Sequence, residues 1–119
     1  MWKRIECTAV YTENIELSVD FYQSLGLNKA WEAFQDEDKQ WKLIGMSFPE
    51  GTAQLVLKNN PNLAVAEIEI VVEDVRGTFE SLQSNDQVKW IRTPFPNPNG
   101  GYVAVMQAPD RNIFVLVGK

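Results

Sequence analysis

The feature of this sequence that most constrains its fold is an order of elements repeated in its two halves. Glu13-Asn14-Ile15 and Glu73-Asp74-Val75 lie 60 positions apart, and each triplet stands between a β-branched stretch and a helix-like one. Asn and Asp are favoured helix N-caps because their side chains accept hydrogen bonds from the first unpaired N–H groups. Few other residues are identical when the two halves are aligned at this offset of 60 residues, so the evidence for a repeat is the order of the elements. It predicts one domain with two similar modules, residues 1–60 and 61–119.

The first half is predicted to form a strand, a helix and three further strands. Ile5–Thr12 is rich in β-branched and aromatic residues, which favours a strand. Ile15–Leu25 has helical apolar spacing, and Gly26 follows it where a helix C-terminal glycine belongs. Three more strands are predicted at Asn28–Phe34, Trp41–Phe48 and Ala53–Lys58. Asn59–Asn62, which contains Pro61, is a strong breaker and therefore a predicted linker.

The second half repeats this order. Leu63–Val72 alternates apolar and other residues and is predicted to be a strand. Val75, Phe79 and Leu82 stand at i, i+4 and i+7, the spacing of an amphipathic helix. The remaining strands are predicted at Val88–Ile91, Tyr102–Gln107 and Ile113–Val117. The three prolines and two glycines between Pro94 and Gly101 predict a long irregular loop, a kind of segment that often carries function.

Composition excludes several classes of function. The net charge is −5 and the pI about 4.7, which disfavours nucleic acid because phosphate contacts need clustered Lys and Arg. The chain has no histidine, so Ser-His and Cys-His nucleophile arrangements are excluded. Cys7 is the single cysteine, which leaves no internal disulfide. No apolar run approaches the roughly 18 residues that span a bilayer, and no signal peptide is supported, so a cytoplasmic protein is expected.

Two motifs resemble a known family. Phe21-Tyr22 with Leu25-Gly26 near the start, and Pro109-Asp110-Arg111-Asn112 near the end, are similar to motifs of vicinal-oxygen-chelate proteins, the group of glyoxalases, bleomycin-resistance proteins and extradiol dioxygenases. The resemblance implies an α+β fold in which two βαβββ modules form a cup-like open barrel with the helices outside. It also implies ligand binding in the cup and a homodimer.

The resemblance further assigns four metal-ligand positions, usually His and Glu in metal-dependent members. In this chain they fall on Cys7, Glu67, Val56 and Val115, and a shift of two residues would replace Val56 by Gln54. Valine has no donor atom, and one thiol with one carboxylate does not make a site for a hard divalent cation. The sequence therefore predicts no metal and no cofactor.

Alternation along the strands predicts which side chains face the cup. The expected ligand-binding residues are Cys7, Tyr11, Trp41, Val56, Glu67, Glu69, Tyr102 and Val115. Glu67 and Glu69 would lie about 7 Å apart, from a rise of about 3.3 Å per residue. Three readings of this pair stay open: a solvated pair or one bonded to Lys58 or Arg92, a cation-binding pair, and a general base. The four tryptophans either stack on a ligand or fill the core and a dimer interface.

Three functions remain in view. The leading hypothesis is a metal-free homodimeric binding protein of the bleomycin-resistance type, which sequesters an apolar or aromatic small molecule, with a cationic group as an open alternative. The second is a glyoxalase-like lyase, isomerase or dioxygenase with a rearranged site that uses Glu67, Cys7 or Tyr11. The third is a protein-interaction module.

Overall fold

The computed structural model describes all residues from Met1 to Lys119, and its elements follow the order β-α-β-β-β twice. The first set is β1 (Trp2–Tyr11), α1 (Ile15–Ser24), β2 (Asn28–Asp36), β3 (Trp41–Ser47) and β4 (Gln54–Lys58). The second set is β5 (Glu67–Val72), α2 (Val75–Leu82), β6 (Lys89–Pro96), β7 (Tyr102–Gln107) and β8 (Ile113–Gly118). The predicted α+β fold with two βαβββ modules is therefore confirmed. Neither helix is long and apolar enough to cross a membrane.

The chain divides into two compact units, each built around four adjacent strands of the strand order and one helix. The first unit is Cys7–Ala66, and the second is Glu67–Lys119 together with Met1–Glu6. In the first unit the strand order is β2-β3-β4-β1, with β1 parallel to β4 and the other pairs antiparallel. In the second unit β5-β8-β7-β6 repeats the arrangement, with β5 parallel to β8.

Local capping signals fix both helices where the sequence predicts them. The Asn14 side chain accepts a hydrogen bond from the Leu17 N–H at 3.1 Å. Asp74 accepts one from the Gly77 N–H at the same distance, 3.1 Å. Gly26 follows α1 with a φ of +98°, a left-handed conformation that costs other residues energy. Both N-caps and the glycine stop are confirmed.

Each unit has a core on the side of the sheet that faces its own helix. In the first unit the buried cluster is Ile15, Leu27, Ile44, Met46 and Leu57. In the second it is Ile70, Val72, Val75, Ala104, Met106 and Leu116. Even-numbered positions of β3 and alternate positions of β4 and β5 therefore point to a helix, as the strand period of two requires.

Two predicted boundaries are wrong for reasons of local chemistry. The strand predicted from Leu63 begins only at Glu67, because Pro61–Leu63 forms a 3₁₀ turn that Asn60 caps by accepting from the Asn62 N–H at 2.9 Å. The predicted irregular loop from Pro94 is shorter, because β6 runs through to Pro96. Proline lacks an N–H but is tolerated in a strand at a sheet edge, and β6 is such an edge strand.

A small group of charges connects α1 to the sheet of the first unit. Lys42 Nζ lies 2.6 Å from Glu16 Oε1 and 3.8 Å from Glu32 Oε1. The hydrogen bond from Lys42 lowers the pKa of Glu16 below its ordinary value and raises the pKa of Lys42. The hydrogen bond from Lys29, at 2.7 Å, lowers the pKa of Glu32. Glu16 itself is largely exposed, so solvent screens the pair.

Replacing Lys42 by methionine should therefore lower the free energy of unfolding at neutral pH by only about 0.5 kcal/mol. A carboxylate with a lowered pKa stabilises the fold above its unfolded pKa, and this contribution disappears as the pH falls through the folded value. The difference between Lys42→Met and the parent should thus shrink as the pH falls below the ordinary glutamate value of 4.5 and disappear once the pH has passed the lower folded value. Urea unfolding at several pH values measures it, with Lys89→Met on β6 as control. A difference that persists in acid would contradict the ion-pair origin.

Candidate functional site

The candidate site lies on the sheet face of each unit that points away from that unit's helix, here called the helix-distal face. In the first unit Leu55 and Leu57 pack with the α1 core. The alternate residues of β4, namely Gln54, Val56 and Lys58, therefore occupy the helix-distal face. The register adds their β1 neighbours to this face, since Cys7, Ala9 and Tyr11 pair with Gln54, Val56 and Lys58.

Trp31 contributes a partly exposed indole ring to this face in the first unit. Trp31 on β2 pairs with Gly45 on β3, and a Cβ added to Gly45 would overlap the pyrrole edge of the indole ring. The indole Nε1 donates a hydrogen bond to Gln54 Oε1 at 2.8 Å. The ring of Trp31 on β2 therefore lies over Gly45 on β3 and is fixed by its hydrogen bond to Gln54 on β4. The ring remains 37% exposed, so it can still contact another molecule.

The four residues predicted in the first unit all share this face. Cys7 and Val56 are buried, and Tyr11 is half-buried. Trp41 lies on the same face of β3 as Leu43 and Gly45, because alternate residues of a strand share a face. Lys39 Nζ lies 4.5 Å from the centre of the Trp41 ring. Their common placement follows from the structure, while contact with a ligand stays a prediction.

Lys58 is a charged residue in the interior of this region. Only 2% of it is exposed, and its Nζ donates a hydrogen bond to the Val65 carbonyl oxygen at 2.6 Å. A buried ammonium is stable only when it is hydrogen-bonded or paired. The backbone turn before β5 supplies one such bond, which connects the end of β4 to the segment that follows the 3₁₀ turn.

The helix-distal face of the second unit combines carboxylates with valines. Ile68, Ile70 and Val72 belong to the helix side, which leaves Glu67 and Glu69 on the other face, as predicted. Glu69 pairs with Val115 in register, so these two side chains are neighbours. Other valines continue this face on β5, β7 and β8: Val71, Val103, Val105 and Val117. The second unit thus offers an apolar surface with two half-buried carboxylates.

The structure separates Tyr102 from the other predicted residues. Tyr102 packs against the helix-side core of the second unit, and the Arg76 guanidinium lies 4.1 Å from its ring centre. It alternates with Val103, which lies on the helix-distal face. The expectation that Tyr102 joins Glu69 and Val115 on that face is therefore corrected.

The donor atoms present do not fit a divalent metal centre of the kind that the family resemblance implies. Val56 and Val115 have no donor atom. The register brings Gln54 rather than Val56 opposite Cys7, but the Gln54 carbonyl oxygen already accepts from Trp31. No group of three or more His, Cys, Asp or Glu side chains is placed to hold a metal ion.

Sequence reasoning missed the Trp31, Gly45 and Gln54 arrangement. One signal was present, because an isolated glycine inside a strand often marks a close approach by another group. Gly45 stands in the middle of Trp41–Ser47. What the sequence could not supply is the partner, since Trp31 and Gln54 are 23 positions apart.

Comparison with known proteins agrees with this architecture. The model of the Glyoxalase/Bleomycin resistance protein/Dioxygenase superfamily matches residues 4–116. The chain belongs to this superfamily. No curated protein matches the sequence.

Several solved structures share the fold. A hypothetical protein from Bacillus halodurans C-125 superposes with a TM-score of 0.77 at 16% identity, over 98% of this chain and 94% of that one. Methylmalonyl-CoA epimerase from Mycobacterium tuberculosis gives 0.72 at 12% identity, over 96% and 86%. A superfamily member from Vibrio splendidus gives 0.71 at 15% identity, over 100% of both chains. At such identities the likeness concerns the fold alone.

Proposed function

We propose that this superfamily member is a binding protein for a flat apolar or aromatic small molecule, held against the helix-distal face of the first unit. The observation that carries the proposal is the indole of Trp31, fixed over Gly45 and bonded to Gln54 yet still partly exposed. A ring that is already oriented loses little conformational freedom when a ligand stacks on it. Trp41 and Tyr11 on the same face extend the aromatic surface.

We propose separately that the carboxylates of the second unit favour a cationic group bound to that unit. Glu67 and Glu69 lie on one helix-distal face beside Val115. A half-buried carboxylate attracts an ammonium or guanidinium group more strongly than a fully solvated one does. The homodimer that the family resemblance implies stays a prediction.

The enzyme alternative has less support. A lyase, isomerase or dioxygenase with a rearranged site would use Glu67, Cys7 or Tyr11, but Cys7 is buried and lies opposite Gln54, whose amide oxygen is engaged by Trp31. The epimerases among the solved structures share the fold at 12% to 14% identity, which does not transfer their activity.

The proposal predicts that Trp31→Ala weakens the binding of flat dyes by about tenfold or more, which corresponds to about 1.4 kcal/mol. The probes are N-phenyl-1-naphthylamine, which is neutral, and acridine orange, which is cationic. Dye fluorescence gives the dissociation constant, and the shift of the thermal midpoint confirms binding to the native state. In the Trp31→Ala background, adding Glu67→Gln/Glu69→Gln should remove the affinity for acridine orange that the second unit contributes and leave the neutral dye unchanged.

The matched control is Trp2→Ala. Trp2 is 41% exposed, close to the 37% of Trp31, but it packs against Phe114 in the second unit, with the rings tilted by 54° at a centroid distance of 4.9 Å. Its replacement should change both dissociation constants less than twofold. Equal losses in the two tryptophan variants, or no binding of either dye to the parent, would refute the proposed site. Equal losses of both dyes in the glutamine variant would refute only the cationic preference.

A further inference from the structure

The outer side of α1 presents three large apolar side chains to solvent. Leu17 and Phe21 lie four residues apart in α1, and Leu25 is the C-cap residue four positions further on; the three are 65%, 57% and 61% exposed. Residues four apart lie on one side of a helix, so the three form a continuous strip, here called the α1 stripe. The core contacts of the helix are made by other residues, Ile15, Val19 and Tyr22. Phe21 contacts the Tyr22 ring edge-on at a centroid distance of 5.2 Å, but more than half of each stripe residue stays exposed.

The turn between β3 and β4 extends this apolar surface at the C-terminal end of α1. A Cβ on Gly26 would stand 3.8 Å from Pro49 Cγ, so the turn contacts the end of the helix. Phe48, next to Pro49, is 44% exposed. Two shallow depressions lie in this region, about 530 Å³ beside Leu17 and Phe21 and about 330 Å³ beside Phe48 and Pro49. Apolar side chains of a partner could insert into these two depressions.

The segments that build the stripe and the turn contain exposed carboxylates and no positive charge. Residues 5–28 and residues 43–57 contain no Lys or Arg. Glu16 is neutralised by Lys42, whereas Glu13, Asp20 and Glu50 are exposed carboxylates. A second copy of this chain would bring the same carboxylates face to face across a two-fold axis, and like charges in an interface are unfavourable. Charge complementarity instead favours a basic partner.

We propose that the α1 stripe and the Phe48–Pro49 turn dock an amphipathic helical segment of a partner protein, whose apolar side is flanked by Lys or Arg. Leu and Phe side chains of the stripe would provide the buried centre of the contact. Glu13, Asp20 and Glu50 would form its charged rim, which directs association and orientation. This surface is separate from the helix-distal face, so the proposal does not depend on the small-molecule site.

The probe is a fluorescent helical peptide made of leucine and lysine, with leucine at i, i+3, i+4 and i+7, and its counterpart carries glutamate in place of lysine. Fluorescence anisotropy with the full chain should give a micromolar dissociation constant for the lysine peptide and at least about tenfold weaker binding for the glutamate peptide, a difference of about 1.4 kcal/mol. Amide chemical shifts should change along α1 and at residues 48–50. In the variant Glu13→Gln/Asp20→Asn, binding of the lysine peptide should depend less on salt, because salt acts by screening the attraction between the lysines and these two carboxylates.

The stripe variant is Leu17→Ser/Leu25→Ser, and it should weaken the lysine peptide at least about tenfold. The control Val65→Ser/Ile91→Ser removes two other exposed apolar side chains, 62% and 47% exposed, and should leave binding within twofold. Phe21→Ser is a second stripe variant that tests the same surface with one change. Equal binding of both peptides, equal losses in stripe and control variants, or no binding would overturn the proposal. Self-association that the stripe variants abolish in sedimentation velocity would also overturn it, because a second copy would then cover the stripe.

Discussion

Replacing Leu57 by alanine should lower the free energy of unfolding by about 2–5 kcal/mol. Leu57 lies on β4, the strand between β3 and β1, and none of its surface is exposed. It packs with Ile15 of α1 and with Ile44 and Met46 of β3, so the lost side chain leaves a cavity lined by both layers of the first unit. The loss combines the transfer free energy of the deleted atoms with the cost of that cavity, which packed neighbours fill only in part.

Urea unfolding followed by far-ultraviolet circular dichroism measures this change. The control is Val65→Ala, which shortens a side chain that is 62% exposed and should change stability by less than about 0.5 kcal/mol. A small loss in Leu57→Ala, close to that of the control, would mean that the space between α1 and β4 closes around the deletion. The cost of a cavity depends on how far the surroundings can relax.

The parts of the fold that sequence predicts well are those that short-range chemistry decides. Asn14 and Asp74 cap their helices through bonds to N–H groups three residues away, and Gly26 takes the conformation that glycine alone adopts easily. Each signal lies within one turn of the chain. The strand faces also follow from alternation, because a core of Ile70 and Val72 forces Glu67 and Glu69 to the other side.

The parts that sequence misplaces depend on neighbours far along the chain. Pro94 and Pro96 are usual loop residues, yet they continue β6 because only one side of an edge strand must be paired. Tyr102 shares a strand face with Ala104 and Met106, and only the packing of α2 and β8 on that face shows it to be the buried one. Trp31 meets Gln54 only because β3 lies between their strands, and that order of strands is not visible in any local window.

The absence of donor atoms at the family's metal-ligand positions is also partly local and partly a matter of strand register. The family resemblance marks four positions, and the two valines among them lack donors whatever the register. The register places Gln54, rather than Val56, beside Cys7, so Gln54 would be the alternative donor at that position. The amide oxygen of Gln54 already accepts a hydrogen bond from the Trp31 indole, so it is not placed as a metal donor beside Cys7. On the helix-distal face of the first unit, the Gln54 amide therefore orients the indole ring of Trp31.

Replacing Gly45 by valine should reduce the affinity for both flat dyes as much as Trp31→Ala does, about tenfold or more, while the fold is retained. The valine side chain would take the space of the pyrrole edge of Trp31, so the indole must swing away and lose its bond to Gln54. Valine is favoured over glycine inside a strand by about 0.5–1 kcal/mol. This gain offsets the loss of one hydrogen bond, which is worth about 0.5–1.5 kcal/mol. The effect should therefore fall on binding rather than on stability.

The indole N–H resonance of Trp31 reports the displacement directly, and dye titration reports its consequence. Leu43→Val is the matched control, because it puts valine on the same strand and the same face, where Leu43 pairs with Ala33 and Lys58, and leaves Gly45 unchanged. If Gly45 acts only by holding the ring, the double variant Trp31→Ala/Gly45→Val should bind no more weakly than Trp31→Ala alone, because the two changes remove the same contact. Additive losses would mean that Gly45 is needed for a second reason, such as close approach of the ligand to the β3 backbone.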